Sequence, residues 1–356
     1  MWKIEYRRYR LPFRQTVRSA HGPWVAREGL LIRAEPLDSP GLPVGWGEAA
    51  PIEWFGTESP AEAETALAGL EGRAENLADA LSRVPEACRA TRAGLAAALG
   101  GVTPAPGRLE DVAFLPVAGL LPAGRAALAA VGERVEMGFR VFKWKVGVEP
   151  AAEEWAVLDD LLARLPSGAK LRLDANGAWD RRTAERWLER AAERPIEYVE
   201  QPCFAGPGSS STERRRAEDL LRGLAADFPV PLALDESVSS ADDVARWLAD
   251  GWSGIWVLKP ALLGEPGPIL ARLAALRAEV VFGSALETAV GARGALELAF
   301  AWAEARGGGL TERRALGFGV WPLFIDPRAD AALRGPFVRR EDLLRIDPVL
   351  LWDSLA

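Results

Sequence analysis

Three acids stand at the ends of successive apolar strand candidates: Asp174 closes KLRLD, Glu200 closes IEYVE and Asp235 closes PLALD. Lys143 and Lys145 lie two positions apart in FRVFKWKV, and Lys259 follows the apolar run IWVL just before Pro260. Carboxylate oxygens are hard ligands that suit Mg2+, with Mn2+ as the alternative, and three of them leave coordination positions for water and substrate. Side chains two apart on a strand share a face, so both lysines can look toward such a centre. A lysine taken out of water needs counter-charge or gives up its proton more readily. Lys143 disfavours the charged form of Lys145, which suits Lys145 to act as a base. The metal then meets the charge that forms on the substrate, and Lys259 faces Lys145 across the shared pocket. Each acid alone reads equally as a helix-start charge, and the lysine pair as a surface strand end. Repetition at three consecutive strand ends favours one shared centre.

Around this centre several side chains have two readings. Arg172 shares strand parity with Asp174 and either receives an anionic substrate or forms a structural ion pair. Asn176 either holds a ligand or simply builds the DANG turn. Glu236 either tunes a neighbouring ligand or lysine, or is a helix-start charge. In FGSALET, Gly283 offers backbone access and Ser284 polarity for a substrate carboxylate at a helix start, or the glycine serves only the bend. Glu287 is a weaker candidate in the same segment. Ser19, Ala20, His21 and Gly22 form a candidate lid in which His21 reads as surface structure and not as the base.

The elements that must position these residues alternate. Seven strand candidates, VAFLPVAGL, FRVFKWKV, KLRLD, IEYVE, PLALD, GIWVLKP and EVVFG, are interleaved with amphipathic segments such as AAEEWAVLDDLLARL and SADDVARWLADG. Regular β–α repetition predicts a parallel sheet covered on both faces, and seven repeats fit a modified eight-fold barrel better than a doubly wound sheet. The eighth strand, near TERRALGFG, is faint. Before the repeats, IEYRRYRLPF and EGLLIRAEPL read as strands, whereas AEAETALAGLEGRAENLADALSR and PEACRATRAGLAAALGG read as helices: an α+β capping domain. The Pro- and Gly-rich run 103–107 marks a junction. This gives a capping domain at 1–103, a catalytic barrel at 104–320, and a segment at 321–356 that returns to the cap.

Bulk composition excludes several classes. Fifty acidic residues against 43 Lys plus Arg give a net charge of −7, opposite to a nucleic-acid footprint. With 49% hydrophobic residues the chain can bury a large core. The amino-terminal segment has no signal-peptide apolar run, and no stretch reads as membrane-spanning, so the expectation is a cytoplasmic protein. The cluster of acids and lysines sets the expected partner as a small-molecule carboxylate. Two cysteines and one histidine are too few for a disulfide scaffold or a zinc site. Oligomeric state stays open.

The motifs FKWK (142–145), LRLDANGAW (171–179), VEQP (199–202), LALDES (232–237), VLKP (257–260) and FGSALET (282–288), in this order and spacing, resemble the enolase superfamily. Within its muconate-lactonising subgroup the resemblance is to the O-succinylbenzoate synthases, and it runs through almost the whole chain. It implies a modified (β/α)7β TIM barrel under an N-terminal α+β capping domain. It also implies Mg2+ on Asp174, Glu200 and Asp235, with Lys145 and Lys259 as the catalytic pair. Lys143, Arg172, Asn176, Gly283 and Ser284 would contact substrate. The implied reaction is dehydration of 2-succinyl-6-hydroxy-2,4-cyclohexadiene-1-carboxylate (SHCHC) to 2-succinylbenzoate, a step of menaquinone or phylloquinone biosynthesis. Lys145 would remove the proton and then assist hydroxide departure, while Lys259 stays cationic. The same core suits a racemase of N-succinylamino acids or a dipeptide epimerase, although no Asp-x-Asp stands near 316–322. Muconate cycloisomerase is a further alternative, and a binding protein without turnover the different-class one.

Overall fold

The computed structural model describes residues 1–19, 22–39, 41–100, 112–206, 208–307, 313–331 and 333–355. The chain opens with two long antiparallel strands, β1 (Trp2–Ser19) and β2 (Gly22–Pro36), flanked by β3 (Gly45–Ala49) and β4 (Arg73–Ala74) in the order β3-β2-β1-β4. Alternation along a strand sends successive side chains to opposite faces. Leu30 and Ile32 accordingly join the core beneath the first helices, while Leu31 joins the core of the following domain. At Leu30 to Ile32 both faces of the sheet are thus covered. Helix Arg89–Ala98 lies so close to β3 that a Cβ on Gly47 would fall 1.9 Å from the Gly94 carbonyl oxygen, which only glycine permits.

After a short strand β5 (Phe114–Pro116), seven parallel strands follow: β6 (Gly119–Leu121), β7 (Val141–Lys145), β8 (Lys170–Asp174), β9 (Ile196–Glu200), β10 (Leu232–Leu234), β11 (Ile255–Leu258) and β12 (Glu279–Phe282). They pair in sequence order from β6 to β12. Closure comes from a short segment: Leu316 bridges to Val117 and Gly317 to Gly283, both parallel. Gly317 N–H donates to the Phe282 carbonyl at 2.8 Å and Ala118 N–H to the Leu316 carbonyl at 2.9 Å. This is the eighth strand position, faint in sequence because it makes only single bridges, so the ring is (β/α)7β. Phe142 and Trp144 are buried toward the surrounding helices, Trp144 lying 6.4 Å from Trp187 of helix Arg181–Ala191. Their neighbours Lys143 and Lys145 therefore face the barrel axis.

The tail meets both domains. β13 (Phe337–Arg339) pairs antiparallel with β5. Phe324 stacks on Phe13 at 5.6 Å, and Arg7 lies over the Trp352 ring at 4.4 Å while donating to the Trp352 carbonyl.

Two elements differ from the sequence reading. The single helix expected through 61–83 is two, Pro60–Ala68 and Leu77–Arg83, because Glu71 and Gly72 take left-handed backbone angles and turn the chain into β4. The first barrel strand is divided: β5 pairs with the tail and β6 with β7, since Pro116 has no N–H to continue one ladder. The proposed junction at 103–107 lies outside the described residues. So do Ala20 and His21 of the candidate lid, whose flanking Ser19 and Gly22 pair across the β1–β2 ladder. No helix among the described residues is long and apolar enough to cross a membrane.

Candidate active site

The carboxyl-terminal strand ends open onto a cavity of about 350 Å³ lined by Lys143, Lys145, Asp174, Asn176, Glu200, Asp235, Glu236, Lys259, Gly283 and Ser284. Capping-domain residues Trp24, Ile52, Trp54 and Phe55 close its other side. Lys145 and Asp174 are register partners across β7 and β8, as are Asp174 and Glu200 across β8 and β9. Lys259 follows β11, four steps round the ring from β7 through β8, β9 and β10, so an eight-membered closure sets it opposite Lys145.

Lys143 Nζ donates to Glu200 Oε1 at 2.6 Å and lies 2.9 Å from Asp174 Oδ2. Lys259 Nζ donates to Asp235 Oδ1. Burial pulls against the charge of Lys143, but Asp174, Glu200 and Asp235 outweigh it and hold its pKa well above the usual lysine range. Lys143 is thus a fixed cation between two carboxylates. The two acids beside it offset its charge within the cavity.

Burial, then the nearby Asp174, push Glu200 well above the ordinary carboxylate range. Asp174 goes the other way: burial raises it, but Lys143, Lys145 and Lys259 more than compensate and lower it. Glu200 is fully buried, and its Oε2 has no hydrogen-bond partner. A crowded set of oxygen donors with one unsatisfied buried carboxylate oxygen fits a hard cation. Among the described residues no three ligating side chains already converge on one point, and ammonium groups stand against all three acids.

The outer candidates divide. Arg172 is fully buried, its Nε donating to Glu197 Oε2 at 2.6 Å and its Nη1 to the Ala315 carbonyl at 2.7 Å, with Tyr198 stacked 4.8 Å away. The structural ion pair is therefore present, while Arg172 also lines the cavity with Nη2 left without a hydrogen-bond partner among the described residues, so the ion pair and a substrate contact are compatible. Asn176 N–H donates to Asp174 Oδ1 at 3.2 Å, and its Nδ2 donates to Glu236 Oε1 at 3.1 Å. It thereby ties β8 to the segment after β10 while making the turn at φ 45°. Burial and then Asp235 raise Glu236 to about 7.

Gly283 does not present its N–H, which donates to the Leu258 carbonyl at 2.8 Å. Its missing side chain matters instead: a Cβ there would lie 3.5 Å from Val257 Cγ1 and 3.7 Å from Lys259 Cγ. Ser284 Oγ donates to Glu287 Oε2 at 3.0 Å and accepts from Leu286 N–H at 2.9 Å. Glu287, the weaker candidate in sequence, is buried and raised to about 7, chiefly by burial.

Several positioning residues had no role in the sequence reading. Gln201 is fully buried at φ 39°. Its Oε1 accepts Asp235 N–H at 2.9 Å and Ser237 N–H at 3.1 Å, which fixes the backbone of one acid from the strand carrying another. The signal was its place in VEQP immediately after Glu200. Glu154 accepts N–H groups of Gly147, Val148 and Glu149 at 2.9 to 3.1 Å and so holds the loop that follows Lys145. An acid in the first turn of an ordinary helix gave no sign of this.

A barrel closed by an eighth single-bridge segment, with acids on three successive strand ends and lysines on opposite sides, defines a class. Residues 126–314 match the family described as "Enolase C-terminal domain-like", and the chain belongs to it. Among curated relatives, an o-succinylbenzoate synthase of Thermosynechococcus vestitus is 39% identical over 322 residues, 89% of this chain and 92% of that one. A solved o-succinylbenzoate synthase from Thermosynechococcus elongatus, complexed with Mg in its active site, superposes with a TM-score of 0.74 at 35% identity, covering 99% of each chain. A Bacillus subtilis L-Ala-D/L-Glu epimerase shares the fold at TM-score 0.76 and 22% identity, covering 95% of each chain.

Proposed function

We propose that the chain is an o-succinylbenzoate synthase, carrying out syn-dehydration of SHCHC to 2-succinylbenzoate and water. The observation that carries this is the pair of lysines on opposite walls of one cavity whose floor is three strand-end carboxylates. The end-to-end likeness to o-succinylbenzoate synthases supports the choice of substrate. Asp174, Glu200 and Asp235 would hold Mg2+, with Mn2+ able to substitute. The unpartnered Glu200 Oε2 and the crowding that raises Glu200 support that role. Bound there, the cation supplies positive charge for the substrate carboxylate oxygens as the α-proton leaves.

Lys145 removes the proton from the ring carbon bearing the carboxylate, and the resulting ammonium returns it to the departing hydroxyl on the same face. Loss of H+ and OH− leaves the aromatic ring and one water. Lys259 stays protonated beside Asp235 and stabilises the charge that spreads into the ring. Lys143 keeps Asp174 and Glu200 from repelling one another. Gly283 leaves room for the substrate beside Lys259, and Ser284 orients the loop that lines it.

In domain terms, residues 1–103 form the cap, 104–320 the barrel and 321–356 the returning tail. The same reading implies a cytoplasmic step of menaquinone or phylloquinone biosynthesis and no nucleic-acid partner. Purified protein given SHCHC with Mg2+ should form 2-succinylbenzoate, read by product mass and ultraviolet absorbance. EDTA should stop it, and Mg2+ should restore it. Absence of turnover by folded, metal-loaded protein would reject the assignment and favour N-succinylamino acid racemisation, for which opposed lysines are equally suited.

A further inference from the structure

Resting on the assignment of Lys259 to this reaction, we propose that Phe55 of the capping domain is the positioning residue for that lysine. Its ring face takes the ammonium and keeps it aimed into the cavity. Lys259 Nζ lies 4.5 Å from the Phe55 ring centroid. The lysine side chain is only 14% exposed, so water does little to solvate it. Its other partner is Asp235, a carboxylate whose charge must be shared once a divalent cation binds there. The ring face is not shared. A desolvated ammonium over an aromatic face therefore keeps a directional partner through the catalytic cycle.

The turn that carries Phe55 is built to hold it. Phe55 N–H donates to the Ile52 carbonyl at 2.9 Å, and Gly56 N–H to the Glu53 carbonyl at 2.8 Å. Gly56 leaves the turn at φ 76°, where glycine is favoured. Ile52 N–H donates to Thr57 Oγ1 at 2.7 Å. From helix Arg89–Ala98, Arg89 Nη2 donates to the Phe55 carbonyl at 3.0 Å. On the other side Trp54 packs edge-on against Trp24 at 4.9 Å. The cap thus does more than cover the barrel mouth: it extends one clamped ring onto a barrel lysine more than 200 positions away in sequence.

The test compares Phe55→Leu, which keeps an apolar wall without a π face, with Phe55→Tyr, which keeps the face. The leucine variant should lose about 10- to 30-fold in kcat on SHCHC with KM changed less than about threefold, and tyrosine should stay within about threefold of wild type. A rise in KM alone for leucine, or equal losses in both variants, would overturn the proposal. The second readout needs no turnover: labelling of Lys259 by trinitrobenzenesulfonate, followed by peptide mass spectrometry on protein whose fold is verified by circular dichroism. Labelling should speed up several-fold in the leucine variant and stay at the wild-type rate in the tyrosine variant; equal rates in all three would count against the proposal. If wild type does not turn over SHCHC, the functional assignment fails and labelling alone decides the role of Phe55.

Discussion

At the strand ends Lys143 meets Asp174 and Glu200, and Lys259 meets Asp235. At the junction of cap and barrel, Arg27 donates to the carbonyls of Glu28, Ala50, Pro51 and Leu286, and among the described residues it meets no carboxylate. Glu48 in turn accepts from Tyr9, from Thr288 and from Gly291 N–H, the latter two opening the helix Ala289–Arg306. Both regions bury full charges, yet they neutralise them differently. A side-chain counter-charge can be exchanged for a cation or substrate group. Backbone dipoles, and the packed hydroxyls of Tyr9 and Thr288, are held by the fold and cannot leave. The first arrangement suits chemistry, and the second holds the loop 283–288 in a shape that lines the cavity.

This contrast predicts where substitutions act. The largest effect should come from Lys145→Ala, which removes the proposed base: a fall of about 10³- to 10⁴-fold in kcat with little change in thermal stability, read by steady-state rates and melting curves. Arg27→Met should do the reverse. It leaves several buried carbonyls without a donor, including that of Leu286 at φ 55°, and should cost about 3 to 4 kcal/mol in denaturant unfolding. Should Arg27→Met abolish kcat while stability holds, the division between the two regions would fail.

Glu287 sharpens the comparison because it accepts from Ser284, which lines the cavity, and lies near Glu48 at the junction. Its folded pKa of about 7 lies above the ordinary 4.5, and burial is the main cause. The folded state therefore holds a proton that the unfolded chain releases between those values. Stability contributed by this group is present below about pH 4.5 and falls by about 3 kcal/mol as pH rises to about 7. Its unpartnered Oε1 is the oxygen available to carry that proton. Glu287→Gln should flatten this slope in unfolding measured from pH 4.5 to 8. A wild-type slope of the opposite sign would show that the carboxylate is stabilised in its charged form. The smallest effect should be that of Gly283→Val, whose added methyls enter the space beside Val257 and Lys259. An increase in KM of about tenfold is expected, with kcat changed less.

Strand ends and strand parity were legible without coordinates. Asp174, Glu200, Asp235, Lys145 and Lys259 each sit where a local apolar run stops or alternates, and a period of two needs only neighbouring residues to be read. The closing segment at Leu316 and Gly317 was faint because two single bridges leave no strand-length pattern. The break at 69–76 in the expected cap helix was hidden by good helix formers on both sides of the left-handed Glu71 and Gly72.

By itself the sequence determined which residues could reach the axis of a barrel and which acids would end side by side, because alternation and repeat order are local properties. It did not determine which partner each charged group would take. Arg172 could serve a substrate or a carboxylate by parity alone, and only the shift in register between β8 and β9 brings Glu197 within 2.6 Å of it. Phe55, Arg27 and Glu48 acquire their partners across 204, 259 and 240 positions of chain. Such distant pairings are selected by packing of the cap sheet on the barrel, where burial makes every unmatched charge costly and leaves few arrangements that satisfy all of them.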